Sequence, residues 1–284
     1  MHITKMHGAG NDFVIVDNRA GSLPADALPK LARTLCAFHT GVGADGMMVV
    51  VPAEKGGDYA MRFYNADGSL GEMCGNGARC ICRWGAEHGL AGDTQRVETT
   101  AGLVIGQRID RTRYRVRLND PSVLDLRRPV PVDGAAYDCA YLELGDPGIP
   151  HAVLLLPDWD EWDRDRLRAL GAALRSAPAF PKGANVSFVK ITGPDAVKAI
   201  TFERGVEDFT LACGTGCGSI AAALTLRGLV SGGPVHITMP GGALTVSLTR
   251  EHDRVHDIFL TGPTCLVFEG EVSGELLEEL CRTY

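Results

Sequence analysis

No run of 18 apolar residues occurs in this 284-residue chain, so no membrane-spanning helix is expected. The opening Met1-His-Ile-Thr-Lys-Met-His-Gly8 has neither an apolar h-region nor a small-residue cleavage site, so it is not expected to be a secretory signal. A basic block and an acidic tail are both lacking, and the net charge is −7, which argues against a nucleic-acid surface. The nine cysteines are odd in number and irregular in spacing, which is not a disulfide framework. Their thiols are expected to be free, in a reducing cytoplasm. Cys74, Cys80 and Cys82 do not have the Cys-x-x-Cys spacing of a zinc knuckle. Gly75-Asn-Gly-Ala-Arg79 does not end in the Lys-Ser/Thr of a phosphate loop. The local signatures of papain-like and caspase-like nucleophiles are missing too.

What is present is a soluble globular composition, 45% apolar and 22% charged, enough for a core of normal size. The length allows one large domain or two ordinary ones. An internal duplication favours two. Phe63-Tyr-Asn-Ala-Asp-Gly-Ser-Leu-Gly-Glu-Met-Cys74-Gly-Asn-Gly77 resembles Phe202-Glu-Arg-Gly-Val-Glu-Asp-Phe-Thr-Leu-Ala-Cys213-Gly-Thr-Gly216, 139 residues on. The register continues through Ile81 and Ile220, Gly89 and Gly228, Thr99 and Thr238, and Gly102 and Gly241. At an offset of 138, Gly10 to Val16 faces Gly148 to Leu154.

The elements repeat with it. Strand-like Val14–Asp17 and Ala152–Leu156 precede helices expected at Pro24–Phe38 and Asp163–Leu174, where leucines recur at helical spacing. Strands follow at Met47–Val51 with Ala60–Tyr64, and at Val186–Ile191 with Ala199–Phe202. Two apolar helices are expected at Ala78–His88 and Cys217–Arg227, each closed by a left-handed Gly, Gly89 or Gly228. The fold class is mixed α/β: two pseudo-symmetric lobes, each a β-sheet or barrel around a central helix. The N-terminal lobe is expected over 1–118, with 266–284 returning to it. The C-terminal lobe is expected over 119–265, with the active site in the interlobe cleft. A Pro-, Asp- and Arg-rich linker is expected over 119–138.

Each Cys loop opens a helix. Amides at a helix N-terminus sit at the positive end of the dipole, and glycines let a ligand approach them. A carboxylate or phosphate is therefore expected there, beside a thiol whose pKa the same field lowers. Two such loops could present one thiol to each face of a single carbon. That arrangement removes a proton from one side and returns it on the other. The other reading of Cys74 and Cys213 is as small residues buried under a turn, and Cys36, Cys80, Cys82, Cys139, Cys217, Cys265 and Cys281 are read that way.

At these residues the chain resembles the diaminopimelate epimerases. The resemblance rests on Met6-His-Gly-Ala-Gly-Asn-Asp-Phe13, Gly41-Val-Gly-Ala-Asp-Gly46, Phe63 to Ser69, Cys74-Gly-Asn-Gly-Ala-Arg79, Pro181-Lys-Gly-Ala-Asn185, Glu203-Arg-Gly205, Ala212-Cys-Gly-Thr-Gly216, Pro240-Gly-Gly242 and Thr261-Gly-Pro263. It implies interconversion of LL- and meso-2,6-diaminopimelate in lysine and peptidoglycan-precursor biosynthesis, with no cofactor and no metal. It implies that Cys74 and Cys213 are the acid–base pair, the first usually the donor. It implies that Gly75, Asn76, Gly214 and Thr215 offer amides to the α-carboxylate, and that Asn11, Asn65, Asn185 and Arg204 hold the substrate. Arg204 would take a distal carboxylate bidentately. Glu203 would hold a distal ammonium and, with His151, tune the cysteines. For His151 a capped loop histidine is the other reading, and for Glu203 and Arg204 an interlobe ion pair.

The chain departs from the family pattern at Ile149, where many members have Asn. It departs again at Gly46, where some have Gln, and in Arg204-Gly-Val-Glu-Asp-Phe-Thr210, which is one residue longer and carries Phe209 in place of a Glu. These positions fall on or near the distal end of the substrate. Another amino acid such as histidine therefore stays open as substrate, as does a catalytically inactive binding member of the fold. A phenazine-type isomerase would lack the cysteine pair. The expected partner is a small amino acid, with no nucleic acid and no membrane. A homodimer is compatible with the chain.

Overall fold

The computed structural model describes residues 1–71, 74–231 and 233–279. The chain divides into two compact units, Met1–Val116 with Gly262–Tyr284, and Arg117–Thr261.

The first unit opens with the hairpin β1 (His2–Gly8) and β2 (Asn11–Asp17). Its two-residue turn, Ala9-Gly10, has positive φ at both positions, 54° and 86°, matching the twist of the flanking strands. β2 runs parallel to β3 (Gly46–Val51), so the connection must cross over, and it carries helix α1 (Leu28–Cys36). Leu28, Leu31 and Leu35 bury one stripe of α1 against Val14, Val16, Met47 and Val49. β3 pairs with β4 (Tyr59–Asn65), which turns back through β5 (Leu70–Gly71) into helix α2 (Gly75–Glu87). An antiparallel run follows, β6 (Thr94–Thr99), β7 (Gly102–Arg108) and β8 (Arg113–Arg117). The late strand Cys265–Glu271 pairs with β1. α2 is enclosed by β1, β2 and β7, and every residue from Gly75 to Gly85 is buried.

The second unit adds β9 (Pro121–Val132) and then repeats the plan. β10 (Ala135–Gly145) and β11 (Gly148–Leu155) form the hairpin, helix α3 (Arg164–Arg175) crosses over, and β12 (Asn185–Gly193) lies parallel to β11. β13 (Ala196–Glu203) and β14 (Asp208–Thr210) lead into helix α4 (Gly214–Leu226). β15 (Val235–Met239), β16 (Gly242–Glu251) and β17 (Arg254–Pro263) complete it. Asp163 caps α3, its carboxylate accepting from the amides of Asp165 and Arg166. α4 has no polar stripe, as its burial from Gly216 through Leu226 requires. α2 and α4 end alike. Gly89 and Gly228 both have φ 68°, and Leu90 and Leu229 donate back to Gly85 and Leu224, satisfying carbonyls of the last turn. The architecture is the mixed α/β, twofold-repeated fold expected.

Three expectations need correction. Residues 119–138 are not an irregular linker. Most of them form β9, paired to β10 from Pro121 through Val132. Proline lacks the N–H a central strand needs, but β9 pairs with β10 alone among the described strands, so its prolines sit on an edge. The helices also begin elsewhere: α1 at Leu28 rather than Pro24, and α2 and α4 directly after Cys74 and Cys213. Glycine's poor helix propensity hid those first turns.

The duplication register also shifts. Met47 pairs with Tyr64 and Val186 with Phe202, so Tyr64 and Phe202 are equivalent, not Phe63 and Phe202. Asn65 then corresponds to Glu203. The turn after β13 is one residue longer, which restores the offset by the cysteines: Tyr64 pairs with Leu70 where Phe202 pairs with Phe209. Past the helices, Thr99 pairs with Gly102 and Met239 with Gly242, so Gly242 and not Gly241 matches Gly102. The offset of 138 holds for β2 and β11: Phe13 pairs with Gly46 as His151 pairs with Asn185.

Candidate active site

In the first unit Cys74 is the N-cap of α2, with extended backbone at φ −121°, ψ 121°. Its Sγ stands 3.2 Å from Oδ1 of Asn11, to which the thiol donates. The same oxygen is 3.5 Å from Nδ2 of Asn76, the second residue of α2. Asn76 Oδ1 accepts from Arg79 at 2.9 Å, and Arg79 also donates to the Gly75 carbonyl at 3.2 Å. Arg79 is entirely buried. On its other side Asn11 donates through Nδ2 to Asp45, whose carboxylate accepts the Asp12 amide at 3.0 Å. Lys5 pairs with Asp12 at 2.6 Å. Burial holds the Asp45 carboxyl above its ordinary value against the hydrogen bonds from Asn11 and the Asp12 amide, and nearby Asp12 adds to the rise. Gly75 and Asn76 form the first turn of the helix, so their amides point out of its N-terminal end. Asn65 is exposed at the end of β4, its Nδ2 donating to Ser69 Oγ at 2.9 Å.

In the second unit Cys213 caps α4 with nearly the same backbone, φ −113°, ψ 109°. Its surroundings differ. Thr215 Oγ1 is 3.8 Å from Sγ and 3.0 Å from His151 Nε2, so one hydroxyl stands between thiol and imidazole. A Cβ on Gly216 would lie 3.1 Å from the Cys213 sulfur, so only glycine fits there without a shift. Burial pushes the Cys213 thiol well above its ordinary value, and the charge of Glu203 pushes the same way. The Gly216 amide and the Thr215 hydroxyl oppose it and lose. The expected lowering of the thiol is not found at Cys213: burial outweighs the opposing hydrogen bonds. Burial also lowers the His151 imidazole to about 3, with the positive charge of Arg204 adding to it, so the ring is neutral at neutral pH.

Asn185 accepts the Arg204 amide at 2.9 Å and donates to the Pro150 carbonyl at 3.2 Å, tying the turn after β13 to the residue before His151. The Arg204 guanidinium donates to the Lys182 carbonyl at 2.8 Å, and Thr210 donates to Glu203 at 2.6 Å. Glu203 ends β13 and Arg204 begins the turn that follows it, in the same unit. Phe209 is turned inward. It packs edge-on against Phe202 and Phe188, with ring centroids 5.7 and 6.3 Å away. Of the remaining cysteines, Cys36, Cys80, Cys82 and Cys139 are buried, and burial pushes their thiols up to about 12. Cys217 is buried, Cys265 is exposed, and Cys281 lies outside the described residues. The residues that sequence reasoning left without a role are Asp45, Arg79 and Gly216. All three sit inside motif blocks quoted above, but nothing in a lone sequence says which block residues touch a cysteine neighbour.

The fold is one that solved structures share. A solved hydroxyproline epimerase from Agrobacterium vitis is similar with a TM-score of 0.67 at 20% identity, covering 95% of this chain and 91% of that one. A phenazine biosynthesis protein of the PhzF family from Enterococcus faecalis is similar with a TM-score of 0.65 at 15% identity, covering 96% and 98%. At such identities the likeness is one of fold. In sequence, the diaminopimelate epimerase family model matches residues 3–123 and 145–267. The diaminopimelate epimerase of Aquifex aeolicus (strain VF5) is 38% identical over 288 residues, covering 98% of this chain and 100% of the relative. That of Methanothrix thermoacetophila is 36% identical, covering 99% of each. The chain belongs to the diaminopimelate epimerase family.

Proposed function

We propose that this protein epimerises LL-2,6-diaminopimelate to the meso form by a two-base proton transfer at Cα between Cys74 and Cys213. The observation that carries the reading is the repeated one: in each unit a cysteine caps a buried helix whose first turn begins with Gly-x-Gly. The substrate α-carboxylate sits at those helix ends, where amides and dipoles stabilise the charge that develops on it as the α-proton leaves. In this reading each loop serves one face of the same carbon. One thiolate takes the proton and the opposite thiol supplies another, so the centre inverts.

A thiol raised by burial is a poor resting base. The substrate α-ammonium, brought beside Cys213, offsets the burial and the charge of Glu203, so ionisation of Cys213 is coupled to binding. Glu203 and Arg204 lie on the turn that is longer than its counterpart, and they hold the distal ammonium and carboxylate. No pyridoxal phosphate or metal takes part in any step. Among the described residues no helix is long and apolar enough to cross a membrane. We place the reaction in the cytoplasm, on the free amino acid.

The test is deuterium wash-in at Cα. Pure protein is incubated in D₂O with LL-diaminopimelate and with a panel including histidine, lysine and ornithine. Exchange and inversion of diaminopimelate are expected. Exchange confined to a monocarboxylic amino acid would remove diaminopimelate as the substrate and leave the chemistry standing.

A further inference from the structure

The two cysteines are held by different kinds of neighbour. Cys213 has a hydroxyl beside it, and a hydroxyl can donate or accept by rotating. Cys74 has an amide oxygen, and whether that amide can turn round depends on what holds its ends. Both ends are held. Arg79 has only donors, so the atom of Asn76 that faces it must be the oxygen, and the Asn76 nitrogen is left to point at Asn11. At the far end, one Asp45 oxygen accepts from both Asn11 Nδ2 and the Asp12 amide. With two N–H groups aimed at it, that oxygen is an acceptor whether or not the other carries a proton. The chain Arg79 to Asn76 to Asn11 to Asp45 therefore has a single polarity, donor to acceptor at every link.

We propose that Arg79 and Asp45 are positioning residues that lock the Asn11 amide with its oxygen toward Cys74, so that Cys74 rests as the thiol. A thiolate there would face an oxygen lone pair, whereas a thiol has an acceptor waiting. Among the described residues the second unit repeats no such chain: Asn185 spends both ends on backbone groups, and the Thr215 hydroxyl and the Gly216 amide address the Cys213 sulfur. The difference gives a twofold-repeated fold a direction. The inference rests on the reading of Cys74 as an acid–base residue, and its test does not use turnover.

The measurement is iodoacetamide alkylation of Cys74 as a function of pH, read peptide by peptide in the whole protein. Exposed Cys265 serves as internal reference. The charged groups around Cys74 and Asn11 among the described residues are Asp12 and Asp45, Lys5 from β1, and Arg79 from α2. Asp45→Ala removes the acceptor that fixes the Asn11 nitrogen and leaves only the long 3.5 Å contact from Asn76 to hold the oxygen, so the amide can turn its nitrogen to the sulfur. The midpoint of the Cys74 curve should then move to lower pH, raising the rate near neutrality about three- to tenfold, the weight of one hydrogen bond, with the high-pH plateau unchanged. Greater access alone would lift the plateau and leave the midpoint. Asp45→Asn can place an oxygen where the carboxylate accepts, and should restore the wild-type midpoint. Should Asp45→Ala fold poorly, Asn11→Ala removes the acceptor itself and should move the midpoint the same way. An unmoved midpoint in a folded Asp45→Ala or Asn11→Ala variant, or failure of Asp45→Asn to restore it, overturns the proposal. An active Cys74→Ala variant would instead overturn the role of Cys74 while leaving the alkylation result intact.

Discussion

Cys74 and Cys213 adopt almost the same backbone, φ −121° and ψ 121° against φ −113° and ψ 109°, at the same helical position, yet only Cys74 donates to a side-chain amide oxygen. Equivalent backbones follow from the duplication. The unlike neighbours come from positions where the halves diverged: Asn76 against Thr215, and Asn11 against Ile149.

The first prediction concerns the sulfurs. Cys74→Ala and Cys213→Ala should each lower kcat by about 10²- to 10⁴-fold, the range one general acid or base supplies. Serine at either position should leave traces, because a hydroxyl is a weaker base. Chiral chromatography of the product, with circular dichroism to establish folding, decides it. Near wild-type turnover by either Ala variant would sink the two-base mechanism.

Much of this was legible in the sequence. The twofold repeat, the cysteine pair, the helix-closing glycines and the crossover helices all announce themselves through spacing and residue type. The register did not, because one inserted residue between Glu203 and Asp208 moves β13 against its counterpart, and shared phenylalanines aligned the wrong pair. β9 was hidden by Pro121, Pro129 and Pro131, which read as linker and are tolerated on an edge strand. The ionisation of Cys213 was also out of reach: the helix dipole is visible in Gly-x-Gly, but the depth of burial that raises the thiol is a tertiary property.

Gly216 gives the second prediction. Gly216→Ala would bring a methyl group to 3.1 Å from both Cβ and Sγ of Cys213 and 3.4 Å from Thr201 Oγ1. Alanine favours a helix by up to about 1 kcal/mol over glycine, so stability should change little once crowding is offset. The displaced sulfur should lower kcat about ten- to a hundredfold. Thermal melts and steady-state kinetics together check it. A large loss of stability with kcat intact would place the role of Gly216 in packing.

The third prediction addresses the distal end of the substrate. The Arg204 guanidinium donates to a backbone carbonyl at 2.8 Å, and its side chain is exposed. Arg204→Ala should lower kcat/KM for LL-diaminopimelate by about ten- to a hundredfold, the value of a hydrogen-bonded charge. It should hardly alter any slow reaction with lysine or ornithine, which have no distal carboxylate. Equal losses on all three substrates would show that Arg204 holds the turn rather than the ligand.

The last prediction turns on His151. Its imidazole is wholly buried, its Nε2 meets Thr215, and its Nδ1 has no hydrogen-bond partner among the described residues. Burial lowers it from 6.5 to about 3, so between those values the unfolded chain binds a proton that the folded chain refuses. The sign follows. The native state has the full benefit above about pH 6.5, and stability falls as the pH drops from there toward 3, by about 1.4 kcal/mol per unit at most from this one group. Urea unfolding at pH 7.5 and 5 should show that loss in the wild type. His151→Gln keeps a polar group facing Thr215 and does not titrate, so it should lose less stability over the same interval, though it starts lower. Identical pH slopes in the two proteins would mean that the imidazole is protonated in the folded state, and a charged His151 beside Cys213 would favour the resting thiolate that burial otherwise denies it.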